Sequence, residues 1–292
     1  MEICVLGSGS AGNSTAVRFG SKAVLIDAGF GPRTLGRRLV DLDLGLDDIR
    51  GILLTHLDRD HFQPSWLAAI HRQGIVLHCH ERHLYQLYRI APTTRAGITA
   101  RVLHRAGLLR TFDDQPFCVQ LRDLPRLHVA PLHLQHDASG TVGYRIEAGE
   151  SRLGYATDLG RVPDHLVDAF VDSDLVALES NYDPPMQLAS DRPHQLKQRI
   201  MGGRGHLSNQ QALEALQQII DRSARPPRHL VLLHLSRQCN CPDLVRDLYR
   251  AMPDLAPRLS ITEQHQPTAW LAATGEPAVV TAPPPRQLRM FS

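Results

Sequence analysis

The chain has 292 residues, a formal net charge of +2 and 42% hydrophobic residues. This length allows one large domain or two small ones, and no apolar run reaches the ~20 residues of a membrane-spanning helix. The five cysteines are scattered and form no CxxC pair, which argues against a disulfide framework and against a cysteine zinc site. A net charge so close to zero gives no indication of nucleic-acid binding by itself.

The N-terminal residues 1–6 lack a basic flank followed by a long apolar stretch, so they predict a first strand and not a signal peptide. Together with the unpaired cysteines, this favours a protein of the reducing cytoplasm. The glycine- and serine-rich residues 7–14 lack the lysine of a P-loop and lead into a second predicted strand. We therefore expect a hairpin that lines a pocket instead of a nucleotide-binding loop.

Apolar segments bounded by turn residues predict strands along most of the chain. The predicted strands cover residues 1–6, 15–18, 23–27, 51–55, 75–79, 117–121, 127–134, 141–147, 152–157, 175–179, 230–234 and 258–262. Helical spacing of apolar residues predicts helices at 33–42, 64–73, 81–89, 163–171, 209–221 and 242–252. Two runs of strands, each accompanied by helices, predict an α/β protein built as a four-layer αββα sandwich.

Four possible metal ligands follow the apolar strand at 51–55 almost at once: His56, Asp58, Asp60 and His61. Residues two apart lie on the same side of an extended backbone, whereas adjacent residues point in different directions, so one loop can serve two metal ions. The run resembles the His-x-His-x-Asp-His motif of metallo-β-lactamase-fold hydrolases, with Asp58 at the second His. A carboxylate there makes the site harder, which shifts its preference from zinc toward manganese or iron.

The same resemblance implies three further ligands, each at the end of another predicted strand: His136, Asp158 and His234. One metal ion is then expected on His56, Asp58 and His136, and a second on Asp60, His61 and His234. Asp158 would bridge the two ions. Two metal ions ~4 Å apart can activate a water and clamp both sides of an in-line phosphoryl displacement. Asp60 is expected to orient the attacking water as well as to bind metal.

Two segments, at residues 178–183 and 202–209, resemble those of the bacterial YycJ/WalJ-type exonuclease branch of the superfamily. In the related tRNA-maturation endonucleases a Glu and a later His form a proton-donating pair, and the resemblance gives these roles to Glu179 and His206. A histidine beside a carboxylate can protonate a leaving alkoxide near neutral pH. The alternative is a helix cap with a buried polar contact. The predicted substrate contacts are Asn13, Asn181 and Ser208.

The leading hypothesis is a dinuclear-metal phosphodiesterase, specifically a DNA exonuclease. The alternatives are a hydrolase of small phosphodiesters or cyclic nucleotides, and a thioester or lactam hydrolase, which would not need a proton donor such as His206. A di-iron redox protein is disfavoured because no flavin-binding domain is predicted. A second metal site at residues 78–83 is also disfavoured, because alternating side chains there would face opposite ways.

We predict a catalytic domain at residues 1–265 and an extension with a proline-rich tail at 266–292. The tail ends in a sequence that resembles the Gln-Leu-x-Leu-Phe peptide with which bacterial DNA-processing enzymes dock onto the sliding clamp. The residues that match it are Gln287, Leu288, Met290 and Phe291. The alternative is a tail whose last residues pack on their own domain.

Overall fold

A computed structural model describes residues 1–92 and 97–274. Within them, fourteen strands form two seven-stranded sheets. The first sheet consists of β1 (Glu2–Gly7), β2 (Ser14–Phe19), β3 (Lys22–Ile26), β4 (Ile49–Leu53), β5 (Val76–His80), β6 (Leu109–Phe112) and β14 (Leu271–Ala272), in the order β14-β1-β2-β3-β4-β5-β6. The second sheet consists of β7 (Phe117–Val119), β8 (Leu127–Leu134), β9 (Thr141–Ala148), β10 (Ser151–Ala156), β11 (Leu175–Glu179), β12 (His229–Leu233) and β13 (Leu259–Ile261), in the order β13-β12-β11-β10-β9-β8-β7.

Nine α-helices occur in the described part of the chain. They are α1 (Pro32–Val40), α2 (Trp66–Gln73), α3 (Glu81–Tyr88), α4 (Ala100–Arg105), α5 (Asp164–Phe170), α6 (Pro184–Ala189), α7 (His194–Arg199), α8 (Asn209–Arg222) and α9 (Pro242–Arg250). The longest, α8, begins after Ser208, whose side chain accepts a hydrogen bond from the Gln211 backbone N–H in a capping box. None of the described helices is long and apolar enough to cross a bilayer.

Strand β1 shows how the layers form. Ile3 and Val5 belong to the buried cluster between the two sheets, whereas Cys4 and Leu6 belong to the cluster between the first sheet and its helices. This alternation follows from the two-residue side-chain period of a strand. A third buried cluster lies between the second sheet and α5, α8 and α9. The predicted αββα sandwich is therefore confirmed.

Parallel pairing explains why the polar strand ends meet. β3, β4 and β5 run parallel to one another, and so do β10, β11 and β12. The carboxyl ends of parallel neighbours lie at the same edge of a sheet. The metal-ligand motif follows β4, and the segments carrying Asp158 and His234 follow β10 and β12, so all three reach one edge of the sandwich.

Several short elements were not predicted: α4, β6, α6, α7 and β14. The two helices α6 and α7 have only six residues each, which is too short for a helical pattern to stand out. β14 pairs only two residues with β1, Ala272 with Glu2 and Leu271 with Ile3. It lies in the predicted extension, and the domain boundary near residue 265 stays a prediction.

Candidate metal centre

The seven predicted ligands lie together at this edge of the sandwich. The ligand atoms of His56, Asp58 and His136 all lie within 4.8 Å of one another, and so do those of Asp60, His61 and His234. These are the two groups of three that the sequence predicts for two metal ions. Asp158 also lies within 4.8 Å of both His56 and His61, which is where a bridging carboxylate would have to be.

In two of the histidines, the Nδ1 atom makes a hydrogen bond that fixes the orientation of the ring. The Nδ1 of His136 donates to the Gly205 carbonyl at 2.8 Å, and the Nδ1 of His61 donates to the Asp27 carboxylate at 2.7 Å. The Nε2 atoms of His56 and His234 are buried and have no hydrogen-bond partner within the described structure. A buried polar nitrogen without a partner is costly, and a metal ion would satisfy it. The donor set therefore fits divalent metal ions.

Asp27 supports the centre, and sequence reasoning missed it. Its fully buried carboxylate accepts hydrogen bonds from the Thr55 backbone N–H and hydroxyl, each at 2.8 Å, as well as from His61. It thereby fixes both the start of the metal-ligand loop and one ligand ring. The only indication in the sequence is an acidic residue directly after the apolar strand β3, which is a weak one because such a residue often only caps a turn.

Three of the residues at these strand ends have a left-handed backbone. The φ angles are +62° for Asp27, +53° for Asp158 and +57° for His234. Residues other than glycine seldom adopt this conformation, and those that do cluster at functional sites. All three side chains contact one another or His61 within the cluster.

Carboxylates dominate the electrostatics of the centre. Burial by itself would lower the pKa of His61, but Asp158, whose Oδ2 lies 2.9 Å from Nε2, and Asp27 outweigh it and hold that pKa well above its usual value. The pKa of His234 is raised in the same way, against its burial, chiefly by Asp158. Conversely, burial would raise the pKa of Asp158, but His234 and His61 keep it well below the usual value. The centre thus attracts positive charge, which protons or divalent cations can supply.

Glu179 and His206 form a close pair beside this cluster. The Nδ1 of His206 donates to Oε1 of Glu179 at 2.6 Å and lies 3.4 Å from Oδ1 of Asp158. Glu179 is fully buried at the end of β11, and its Oε2 accepts the backbone N–H of Leu159 at 2.9 Å. Burial would raise the pKa of Glu179, but His206 outweighs this effect and lowers it. The His206 side chain remains 19% exposed, so it can meet a substrate.

Comparison with known proteins agrees with this geometry. Residues 22–235 match the model of the beta-lactamase superfamily domain. The chain belongs to this superfamily.

It is 26% identical over 249 residues to the exodeoxyribonuclease YycJ of Bacillus anthracis, covering 84% of this chain and 86% of that one. It is 25% identical over 240 residues to the exodeoxyribonuclease WalJ of Streptococcus pneumoniae, covering 82% and 83% of the two chains. The metallo-beta-lactamase fold protein YhfI of Bacillus subtilis superposes with a TM-score of 0.63 at 15% identity, covering 91% of this chain and 98% of that one.

The predicted resemblance to metallo-β-lactamase-fold proteins, and to the YycJ/WalJ branch, is confirmed by these matches. The fold implies divalent metal ions, and the ligand cluster described above fits them. The number and identity of the ions, and the role of each ligand, stay predictions.

The three predicted substrate contacts are all buried and already bonded within the protein. The side-chain amide of Asn13 lies 2.9 Å from Nε2 of His61 and 3.3 Å from Oδ2 of Asp60. The Asn181 side chain donates to the His234 carbonyl at 2.6 Å, and Ser208 caps α8. These contacts give all three a place in supporting the centre, and contact with substrate stays a prediction. The four tail residues proposed to bind a partner lie outside the described residues.

The histidines of residues 78–83 form no group of three metal-ligating atoms in the described structure. The predicted change from strand to helix does occur there, because β5 ends at His80 and α3 begins at Glu81. The Nδ1 of His80 caps α3 by accepting the Arg82 backbone N–H at 3.2 Å, and its Nε2 lies 3.1 Å from Asp114. His80 is therefore a capping residue.

Proposed function

We propose that this protein is a metal-dependent phosphodiesterase that binds two divalent ions, and that its substrate is DNA, which it digests as an exonuclease. The observation that carries the proposal is the Glu179–His206 pair next to the ligand cluster, with a 2.6 Å hydrogen bond and an accessible imidazole. The names of the two exodeoxyribonuclease relatives support the choice of DNA.

One metal ion would be held by His56, Asp58 and His136 and the other by Asp60, His61 and His234, with Asp158 shared by both. Bound there, the ions would activate a water nucleophile and neutralise the phosphate charge. Asp60 would serve both as a ligand and as the carboxylate that orients this water. The Nδ1 of His206 is occupied by Glu179, so Nε2 is the atom that can deliver a proton to the leaving alkoxide.

The buried Glu179 has a second task in this scheme. Its Oε1 accepts the hydrogen bond from Nδ1 of His206, and this bond fixes the direction of the ring. A thioester hydrolase releases a thiolate, which leaves without a proton, so it would not need this pair. The pair therefore favours phosphodiesters over thioesters.

Digestion of end-labelled strands tests the proposed function. The manganese-loaded protein should release mononucleotides progressively from one end of a labelled DNA strand. Parallel assays should use RNA, a cyclic nucleotide, a thioester and a lactam. Hydrolysis confined to the cyclic nucleotide would move the proposal to small phosphodiesters, and hydrolysis confined to the thioester or lactam would refute it.

Asp58 should set the metal preference. Changing it to His would make the ligand set softer, so the ratio of manganese-supported to zinc-supported activity should fall. Changing a residue that only contacts a ligand alters metal affinity by about 10- to 100-fold. Changing the ligand itself should therefore lower the ratio of manganese-supported to zinc-supported activity by at least about tenfold. Reconstitution of the metal-free protein with each ion measures the ratio. If zinc alone supports turnover of the unchanged protein, Asp58 has no selective effect.

A sliding clamp is the proposed partner of the C-terminal peptide, with Leu288, Met290 and Phe291 as apolar anchors and Gln287 as the polar one. A fluorescent peptide of residues 283–292 should bind the clamp at about micromolar concentration, which is weak but effective once tethered. Changing both Leu288 and Phe291 to Ala should abolish the anisotropy change. Equal binding of the two peptides would remove the clamp from the proposal.

A further inference from the structure

Four loops carry ligands or the proton-donating pair, and each of them also carries an exposed arginine. Arg59 lies between Asp58 and Asp60, and Arg161 follows Asp158 by three residues. Arg204 precedes His206 by two residues, and Arg237 follows His234 by three. We call Arg59, Arg161, Arg204 and Arg237 the arginine rim. No guanidinium of the arginine rim makes an ion pair, hydrogen bond or ring contact with another residue of the described structure.

Two members of the rim rest on backbone that is fixed to the metal centre. A Cβ atom added to Gly160 would lie 2.3 Å from the carbonyl carbon of Gly203 and 2.4 Å from the nitrogen of Arg204, so these two segments are in direct backbone contact. The Arg204 carbonyl accepts the Asp137 N–H at 3.3 Å, and the next carbonyl accepts Nδ1 of His136. Arg161 and Arg204 therefore leave adjoining backbone segments beside the ligands.

The exposed carboxylate of Asp137, beside the predicted ligand His136, is already hydrogen-bonded to backbone. The Oδ1 of Asp137 accepts the backbone N–H groups of Ser139 and Gly140, at 2.8 and 3.2 Å. Some other surface arginines have acidic partners, as in the 2.6 Å pair of Arg246 with Asp243. No rim guanidinium pairs with a carboxylate in the described structure, so each can bind an external anion, while the carboxylates of the centre converge on the metal site.

Guanidinium groups bind phosphate oxygens through two parallel hydrogen bonds and stay charged at any physiological pH. A small phosphodiester has one phosphate, which the metal ions would already bind. Arginines on four separate loops around one catalytic point suit a substrate with phosphates on both sides of the scissile bond.

We infer that the arginine rim binds the flanking phosphates of a nucleic-acid strand, and so selects polynucleotides over small phosphodiesters. This inference rests on the proposed function and deepens it by naming the residues that recognise the substrate. The backbone contacts described above give the most direct support for Arg161 and Arg204, so these two residues are changed first.

The binding test compares two double variants in an Asp60→Asn background that blocks turnover. Arg161→Gln with Arg204→Gln removes half of the rim. Arg37→Gln with Arg72→Gln is the matched control, because these exposed arginines lie on the outer helices α1 and α2. Affinity for a fluorescent single-stranded oligonucleotide is measured across salt concentrations by anisotropy.

Each phosphate contact on a single strand contributes about −0.7 to the slope of log affinity against log salt. The slope of the rim variant should therefore be about 1.4 less steep than that of the Asp60→Asn parent, whereas the control pair should have the same slope as the parent. The affinity deficit of the rim variant should then be about sevenfold larger at about 50 mM salt than at about 200 mM. Equal slopes in the rim and control variants would overturn the inference.

A kinetic arm separates this inference from the proposed function. The unchanged protein is assayed on a labelled strand and on bis(p-nitrophenyl) phosphate, and the ratio of the two kcat/KM values is its selectivity. The rim variant should lose selectivity for the strand and the control pair should retain it. Failure of the unchanged protein to cleave either substrate would refute the proposed function, while the salt slopes would still decide whether the rim binds phosphates.

Discussion

Changing Asp60 to Ala should abolish turnover. Its Oδ2 lies 3.6 Å from Nε2 of His234 and 3.8 Å from Nε2 of His61, at the centre of one predicted ligand group. Burial would raise the pKa of Asp60, but His234 and His61 outweigh this effect and lower it, so the carboxylate is charged at neutral pH. The variant would lose a ligand charge and the group that orients the water. We expect turnover to fall by about 10³-fold or more.

Two further variants identify the cause of that loss. Asp60→Asn keeps the size of the side chain but removes its charge, and it should be nearly as inactive. Asp137→Asn is the matched control, because Asp137 is exposed, lies beside the predicted ligand His136 and belongs to no group of metal-ligating atoms. It should retain activity. Full activity in Asp60→Ala would refute the assignment of the centre.

Changing His206 to Ala should lower turnover about 100-fold while the metal content stays unchanged, the usual range for a lost general acid. The imidazole is the exposed member of the Glu179 pair, so its removal should take away the proton donor. A substrate with a p-nitrophenolate leaving group needs no proton, and its hydrolysis should be affected much less. Turnover with poor and good leaving groups, followed side by side, measures this difference.

The geometry also permits a competing role for His206, which the metal content decides. The ligand atoms of Asp158, Glu179, His206 and His234 lie within 4.8 Å of one another, so this group could itself hold an ion. Loss of one metal ion from His206→Ala would mean that His206 is a ligand. Glu179→Gln gives a second test, since it should reduce turnover with the same dependence on the leaving group.

The sequence predicts much of the centre because its chemistry is concentrated in short segments at strand ends. The carboxyl ends of parallel strands meet at one edge, so His56, Asp158 and His234 could be expected to converge once their strands were recognised. Asp27 escaped prediction because its role depends on a contact with His61, 34 residues away in the chain. A single acidic residue after a strand does not reveal such a contact.

The missed elements have a common physical reason. Helices α6 and α7 have six residues each, too few for a helical pattern to stand out. The Nζ atom of Lys197 in α7 donates a hydrogen bond to the Leu188 carbonyl of α6 at 2.7 Å. A local sequence pattern does not predict such a contact. The pairing of β14 with β1 likewise joins residues about 270 positions apart.

Titration of the metal-free protein with manganese tests the central claim most directly. Bound metal per chain and release of nucleotides from an end-labelled DNA strand are measured on the same samples. We predict no activity without metal, two ions per chain at saturation, and activity that rises as the second ion binds. Full activity in the metal-free protein, or saturation without any cleavage of phosphodiesters, would contradict the account.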